Sequence, residues 1–244
     1  MAKNFMVLYG RNSIIERLKA NPQSIKKIFL HDNFDVPGIV DLIKEKNVSV
    51  EYMSLQQLSK MRHGKDLQGM VARVNKFQYT PIDVLLNQPG HAKSTIVFLD
   101  RITDPHNLGV IIRTAACFGG FSIVIPEFQA CGVNETVLHV ASGGENHISI
   151  SMVPNIAKII RKAKDAGYWI MGAVVKEYTD DITKISLPFP LGLVLGSEGR
   201  GIRYGVDKLL DIKAHIPMKG AKLSFNVNMA CAIFCHEIGK QRGG

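Results

Sequence analysis

The clearest hydrophobic pattern in this 244-residue chain is the run Ile96-Val97-Phe98-Leu99 between Thr95 and Asp100. A strand buried on both faces, as in a parallel sheet, has no polar alternation and reads this way. The helical spacing that follows predicts a helix from Pro105 to Phe118. Asp104 can cap its free amides, and Pro105 fits the first turn without losing a hydrogen bond. Further strands are expected at Ser122–Ile125, Ile148–Ile150, Trp169–Val174, Gly192–Leu195 and Ala214–Ile216, with helices at Val153–Ala166 and Phe225–Gln241. Toward the front, a helix over residues 9–20 would bury Ile14, Ile15 and Leu18. It is followed by a strand at Lys27–Leu30, a helix at Val36–Lys46 and a strand at Val48–Tyr52. Ser54 is placed to cap a helix through Leu55 and Leu58, and Gly69–Val74 reads as a further strand. Pro81, Pro89 and Gly90 interrupt regular structure around a short Ile82–Leu86 segment, which predicts a partly ordered linker. The expected organisation is a small α/β domain at 1–75, a linker at 76–93 and a doubly wound α/β domain at 94–244.

Composition narrows this reading. An apolar fraction of 46% fits a folded globular chain and excludes wholesale disorder. Thirty basic against 21 acidic side chains give a formal charge of +9, and residues 1–80 hold thirteen of the former and seven of the latter. A basic front section attracts polyanions through phosphate contacts, and Lys3, Arg11, Arg62, His63 and Lys65 are the candidates there. Cys117, Cys131, Cys231 and Cys235 form no Cys-x-x-Cys pair, so no metal site is expected. No apolar run approaches the roughly 18 residues of a membrane span, and the start lacks a secretory h-region, so a cytoplasmic protein without a membrane partner is expected.

Candidate chemistry gathers where apolar strands end. The first junction is Asp104-Pro105-His106-Asn107-Leu108-Gly109 with Arg113. The second is Leu195-Gly196-Ser197-Glu198-Gly199-Arg200-Gly201, and the third runs from Met218 through Gly220, Ser224, Phe225 and Asn226. Strand ends of open α/β sheets are where such folds bind ligands. Arg113 lies six residues past Asn107, about 120° around a helix, so the two can serve one substrate only if Asn107 sits in the opening turn or before it. A guanidinium keeps its charge and needs an anionic partner. That partner is either Glu198 or a substrate phosphate or developing oxyanion. The glycine-rich second loop lacks the Gly-Lys-Ser/Thr ending of a phosphate-binding loop and is not the Gly-x-Gly-x-x-Gly of a first βαβ unit. Ser224 is placed to cap the last helix, with Asn226 in its first turn. No Ser-His-Asp arrangement or nucleophile elbow is legible, which argues against covalent hydrolysis.

These three motifs, in this order and spacing, resemble the SpoU-type RNA ribose 2′-O-methyltransferases of the SPOUT superfamily. The third motif is carried by Ile216-Pro217-Met218, Gly220 and Ser224-Phe225-Asn226-Val227. The resemblance covers about residues 94–240, and the front domain is similar to the L30e-like RNA-binding domain of bacterial 23S rRNA guanosine 2′-O-methyltransferases. It implies a deep trefoil knot around a parallel sheet, which pattern reading alone does not suggest because threaded chains are rare. It also implies a homodimer, S-adenosylmethionine as cofactor, and RNA as partner, with 23S rRNA foremost. By carry-over, Leu195, Gly196, Gly199, Ile216, Met218 and Phe225 bind the cofactor. Arg113, Asn107, Glu198, Ser224 and Asn226 form the catalytic centre, Arg113 as an electrostatic clamp rather than a base. The chain departs from the family pattern at Phe225, Asn228, Met229 and Ala232, and at Leu67-Gln68-Gly69 in the front domain. A tRNA ribose methyltransferase, a thiostrepton-resistance-type rRNA adenosine methyltransferase and a non-catalytic RNA-binding or ribosome-assembly factor are the competing readings.

Overall fold

A computed structural model of the chain describes residues 4–61, 67–87, 91–175, 179–221 and 223–243. Lys3, Arg62, His63 and Lys65 lie outside the described residues, as do Pro89 and Gly90 of the expected linker. The chain divides into two compact units, Met1–Gln78 with Val133–His147, and Tyr79–Gly132 with Ile148–Gly244.

The first unit runs β1 (Met6–Tyr9), α1 (Arg11–Ala20), β2 (Ile25–His31), α2 (Ile39–Glu45), β3 (Val50–Met53), α3 (Leu55–Met61) and β4 (Met70–Val74). Its sheet has the order β1-β4-β2-β3, with β2 and β3 parallel and β4 antiparallel to both its neighbours. Strand β1 is an element the sequence reading does not assign; of its Met-Val-Leu-Tyr run only Tyr9 falls in the helix predicted over 9–20, which starts instead after Gly10 at φ 85°. At α3 the expected cap is present: Ser54 Oγ accepts from Gln57 N at 3.4 Å while Gln57 Oε1 accepts from Ser54 N at 2.9 Å. Arg11 lies over the ring of Phe34, 5.8 Å from its centroid, and its backbone N–H donates to Gln68 Oε1. Gln68 of the Leu67-Gln68-Gly69 segment thus helps hold the start of α1.

A further helix of this unit departs from the expected boundaries. Residues 94–244 were predicted to form one domain, yet Val133–His147 packs within the first unit. Asn134 caps a helix that the sequence pattern had not signalled, numbered below as α6, by accepting from Val137 N at 3.0 Å. Leu138 joins Leu8, Ile14 and Leu18 in the core, and His139 stacks on Tyr9 with ring centroids 4.1 Å apart. Beyond it, Arg17 and Glu145, each 5% exposed, pair at 2.9 Å. The segment belongs where its buried side chains find partners, whatever its place in the chain.

The second unit contains α4 (Ile82–Leu86), β5 (Thr95–Asp100), α5 (Pro105–Phe118) and β6 (Phe121–Pro126). After α6 (Glu135–Ala141) the chain re-enters it with β7 (Ile150–Val153), α7 (Ile156–Asp165), β8 (Trp169–Ala173) and β9 (Asp180–Asp181). It ends with β10 (Leu191–Gly196), α8 (Tyr204–Asp207), β11 (Ile212–His215) and α9 (Val227–Arg242). Seven parallel strands form one sheet in the order β7-β6-β5-β10-β8-β11-β9. Strand β5 and helix α5 span the residues predicted for them. Part of the predicted linker is core: Leu85 and Leu86 of α4 are buried with Phe98, Ile160 and Ile170. Helix α7 begins three residues later than expected because Val153 completes β7 and Asn155 supplies the cap, accepting from Lys158 N at 3.1 Å.

Strand order decides where chemistry can sit. From β5 the chain moves outward through β6 to β7, whereas β10, β8 and β11 lie on the other side. The carboxyl ends of β5 and β10 therefore flank the point where the winding reverses, the place where open α/β sheets bind ligands, and a cavity opens beside it at the ends of β10, β8 and β11. Residues Leu195 and Gly196 lie in register beside Leu99 and Asp100.

Candidate active site

All three predicted junctions leave the sheet at its carboxyl end, after β5, β10 and β11. Asp104 caps α5, its Oδ1 accepting from His106 N at 2.8 Å, with Pro105 in the first turn as the sequence suggested. That cap puts Asn107 in the opening turn. Its Nδ2 donates to Glu198 Oε1 at 3.2 Å, and its Oδ1 accepts from Asn228 Nδ2 at 2.7 Å. One amide thus links the loop after β10 to the first turn of α9, and α5 and α9 pack together behind it.

The loop after β10 folds back on itself. Gly201 N donates to Ser197 O at 2.8 Å, and Gly199 and Gly201 have φ values of 77° and 63°. At Gly196 the requirement is space: a Cβ there would lie 2.3 Å from the Gly201 carbonyl carbon and 2.4 Å from Ile202 N. Only a residue without a side chain lets the returning backbone pass. The return is fastened by Asp100, which is fully buried and accepts from Arg203 N at 2.8 Å and Arg203 Nε at 2.6 Å.

Between the loops after β10 and β11 lies a cavity of about 1000 Å³, also bordered by the end of β8, and no residue of the first junction is among its described lining. Leu195, Gly196, Gly199, Ile216, Met218 and Phe225, the six residues carried over as cofactor-binding, are on its wall. Glu198, Ser224 and Asn226 are there too. Asn107 reaches the cavity through Glu198. Arg113, expected beside the same point, is exposed on α5 and is not among the lining residues described. The helical offset from Asn107 explains this, since six residues carry Arg113 about 9 Å along the axis and to another face.

Ser224 was expected to cap α9 and does not. Asn226 is the cap, its Oδ1 accepting from Met229 N at 2.9 Å, so the helix begins at Val227. Ser224 stays exposed in the loop ahead of it. Asn228, Asp100 and Arg203 were missed as site residues. A carboxylate ending an otherwise apolar buried strand was the available signal for Asp100, because a buried charge needs a partner. Asn228 stood out only as a departure from the family pattern. Lys222 of the third junction lies outside the described residues.

Behind the cavity wall, Cys231 and Cys235 are buried on one face of α9 with sulfurs 3.8 Å apart. Hydrogen bonding to Cys235, then burial, push the Cys231 thiol well above its ordinary range, which keeps it protonated and unreactive. Among the described residues, no three His, Cys, Asp or Glu side chains are grouped to hold a metal ion, and no helix is long and apolar enough to cross a membrane.

Comparison with known proteins agrees with this geometry. The sequence model of the SpoU rRNA methylase family matches residues 94–236, and that of the RNA 2′-O ribose methyltransferase substrate-binding domain matches residues 7–80. A Bacillus subtilis protein named for the TrmH family of tRNA/rRNA methyltransferases is 31% identical, over 99% of this chain and 98% of its own length. The 23S rRNA (guanosine-2′-O-)-methyltransferase of Coxiella burnetii is 32% identical over 96% of this chain and 95% of its own. Among solved structures, the SpoU methyltransferase AviRb of Streptomyces viridochromogenes in complex with AdoMet superposes with a TM-score of 0.80. It is 20% identical, over 99% of this chain and 92% of that one. The chain belongs to the SpoU family of S-adenosylmethionine-dependent RNA 2′-O-ribose methyltransferases.

Proposed function

We propose that this enzyme methylates the ribose 2′-hydroxyl of a guanosine in 23S rRNA, and that the cavity between the second and third junction loops is its cofactor site. The observation that carries the reading is that the second and third junction loops share one cavity, with the first junction tied to both by the Asn228–Asn107–Glu198 chain.

The residues present suit the cofactor. Leu195, Ile216, Met218 and Phe225 offer apolar surface for an adenine ring, and the glycine loop presents backbone groups at close range. Bound there, S-adenosylmethionine supplies an electrophilic methyl group on a sulfonium. The protein's task is then to make a ribose hydroxyl nucleophilic. In this reading Arg113, exposed on α5, comes to the site with the RNA and neutralises a substrate phosphate and the charge growing on the 2′-oxygen. Its guanidinium does not accept the proton, which passes to a phosphate oxygen or water. Glu198 orients the cation and the ribose, Asn107 and Asn228 hold Glu198, and Ser224 and Asn226 border the substrate edge.

The wider reading includes a trefoil knot, supported by the close return of the chain past Gly196. It includes an L30e-like first unit that grips RNA, a homodimer and a cytoplasmic setting. The first unit's excess of basic side chains supports the RNA contact. Nucleoside analysis of 23S rRNA and tRNA transcripts incubated with the enzyme and isotopically labelled S-adenosylmethionine tests the substrate. Label is expected in 2′-O-methylguanosine from 23S rRNA. Label confined to tRNA, or to 2′-O-methyladenosine, overturns the assignment.

A further inference from the structure

One residue beyond Ile202, which lines the cofactor cavity, Arg203 lines a second concavity of about 370 Å³ at the carboxyl ends of β6 and β7. Phe128, Gln129 and Asn155 share its wall. Nothing in the reaction described above uses it. Its size is that of a small-ligand pocket, enough for one nucleotide and too narrow for a duplex.

Its two principal groups are a bare aromatic ring and a fixed cation. Phe128 is 64% exposed, so folding leaves most of its ring in water on a loop that has no need of it for packing. The Arg203 side chain is 37% exposed while its Nε and backbone N–H are both held by fully buried Asp100. Its terminal nitrogens have no hydrogen-bond partner among the described residues. A guanidinium gripped from behind by a buried carboxylate loses little entropy on binding and presents its outer donors in a fixed plane. Gln129, next to Phe128, holds φ at 58°, a costly conformation for a residue with a side chain and a mark of a loop shaped for something other than stability.

We infer that this concavity is a subsite for a single-stranded nucleotide flanking the one that is methylated, its base stacked on Phe128 and its phosphate held by the outer donors of Arg203. Single-stranded RNA is read by splaying bases onto aromatic rings beside cationic groups, which is the pairing present here. The chain's net charge of +9 favours that polyanion over an acidic small molecule. The inference rests on the RNA-methylating reading and adds a residue-level basis for which RNA is chosen.

Phe128→Ala is the direct test, because the ring is exposed and its loss leaves the core intact. Steady-state methyl transfer to a 23S rRNA transcript should show KM raised roughly five- to hundred-fold, the range for losing one base–aromatic stack, with kcat unchanged. Filter binding of the same transcript should weaken in parallel. Calorimetric affinity for S-adenosylmethionine should not move, and Phe128→Tyr should restore KM. Wild-type enzyme that methylates the transcript while Phe128→Ala matches it in KM and RNA affinity overturns the subsite alone. Wild-type enzyme that methylates no RNA overturns the parent reading and this inference with it.

Discussion

Asn107 has both ends of its amide committed, one to Glu198 and one to Asn228, and this shared residue fixes the relative position of the loop after β10 and the start of α9 at the proposed catalytic edge. Asn228 in turn leaves its own Oδ1 buried without a hydrogen-bond partner among the described residues. Such an orphan acceptor is costly, so its retention fits a side chain held for what its Nδ2 does. Asn228→Ala frees Asn107 Oδ1 and should slow single-turnover methylation about ten-fold, equivalent to about 1.4 kcal/mol, without changing the RNA's KM. An unaltered rate would remove Asn228 from the positioning chain. Arg113→Ala should cost far more, about 10²- to 10³-fold in the same assay, as loss of an electrostatic stabiliser of the developing alkoxide does. A variant that retains near-normal turnover would show that the charge on the 2′-oxygen is met elsewhere.

At the scale of elements, the carboxyl end of the sheet is built from caps. Asp104 sets the start of α5 and through it the position of Asn107. Asp104→Ala should lower unfolding free energy by about 1 kcal/mol in urea titration and reduce turnover as Asn107 drifts. Unchanged stability would mean the helix start is fixed by other contacts. Elements of this kind were legible in the sequence because their signals are local: an unbroken apolar run gives β5, and Asp-Pro before helical spacing gives α5. The choice between Ser224 and Asn226 as cap of α9 was not, since both residue types cap helices and only the path of the preceding loop separates them. The pocket-lining residues were reached through motif resemblance. Asp100 with Arg203, and Asn107 with Asn228, were out of reach, because each pair is more than a hundred residues apart and takes its meaning from the sheet order.

For the whole molecule, the division into units depends on Val133–His147 finding its core away from its neighbours in sequence. Arg17 and Glu145 form a buried anchor for that segment. Removing one partner strands the other charge, so Glu145→Leu should destabilise the first unit by about 3–5 kcal/mol, whereas Arg17→Met with Glu145→Leu should cost much less. Thermal unfolding of the two variants separates these outcomes, and equal losses would contradict the pairing. Burial raises the Glu145 carboxyl above its ordinary 4.5, with Arg17 opposing. The folded chain therefore takes up that proton at higher pH than the unfolded chain does. The stability of wild type relative to Glu145→Gln should fall as pH rises from about 4.5 through the raised value. A difference that stays flat across that window would mean the carboxyl titrates alike in both states.

The central claim is that one cavity, closed by the chain's return past Gly196, holds the methyl donor. Titration calorimetry of S-adenosylmethionine into wild type and Gly196→Ala measures it directly, because the added Cβ would collide with the backbone of Gly201 and Ile202 rather than with a movable side chain. The account predicts saturable one-site binding by wild type and none detectable by a folded Gly196→Ala variant. Equal affinity in the two proteins would contradict it.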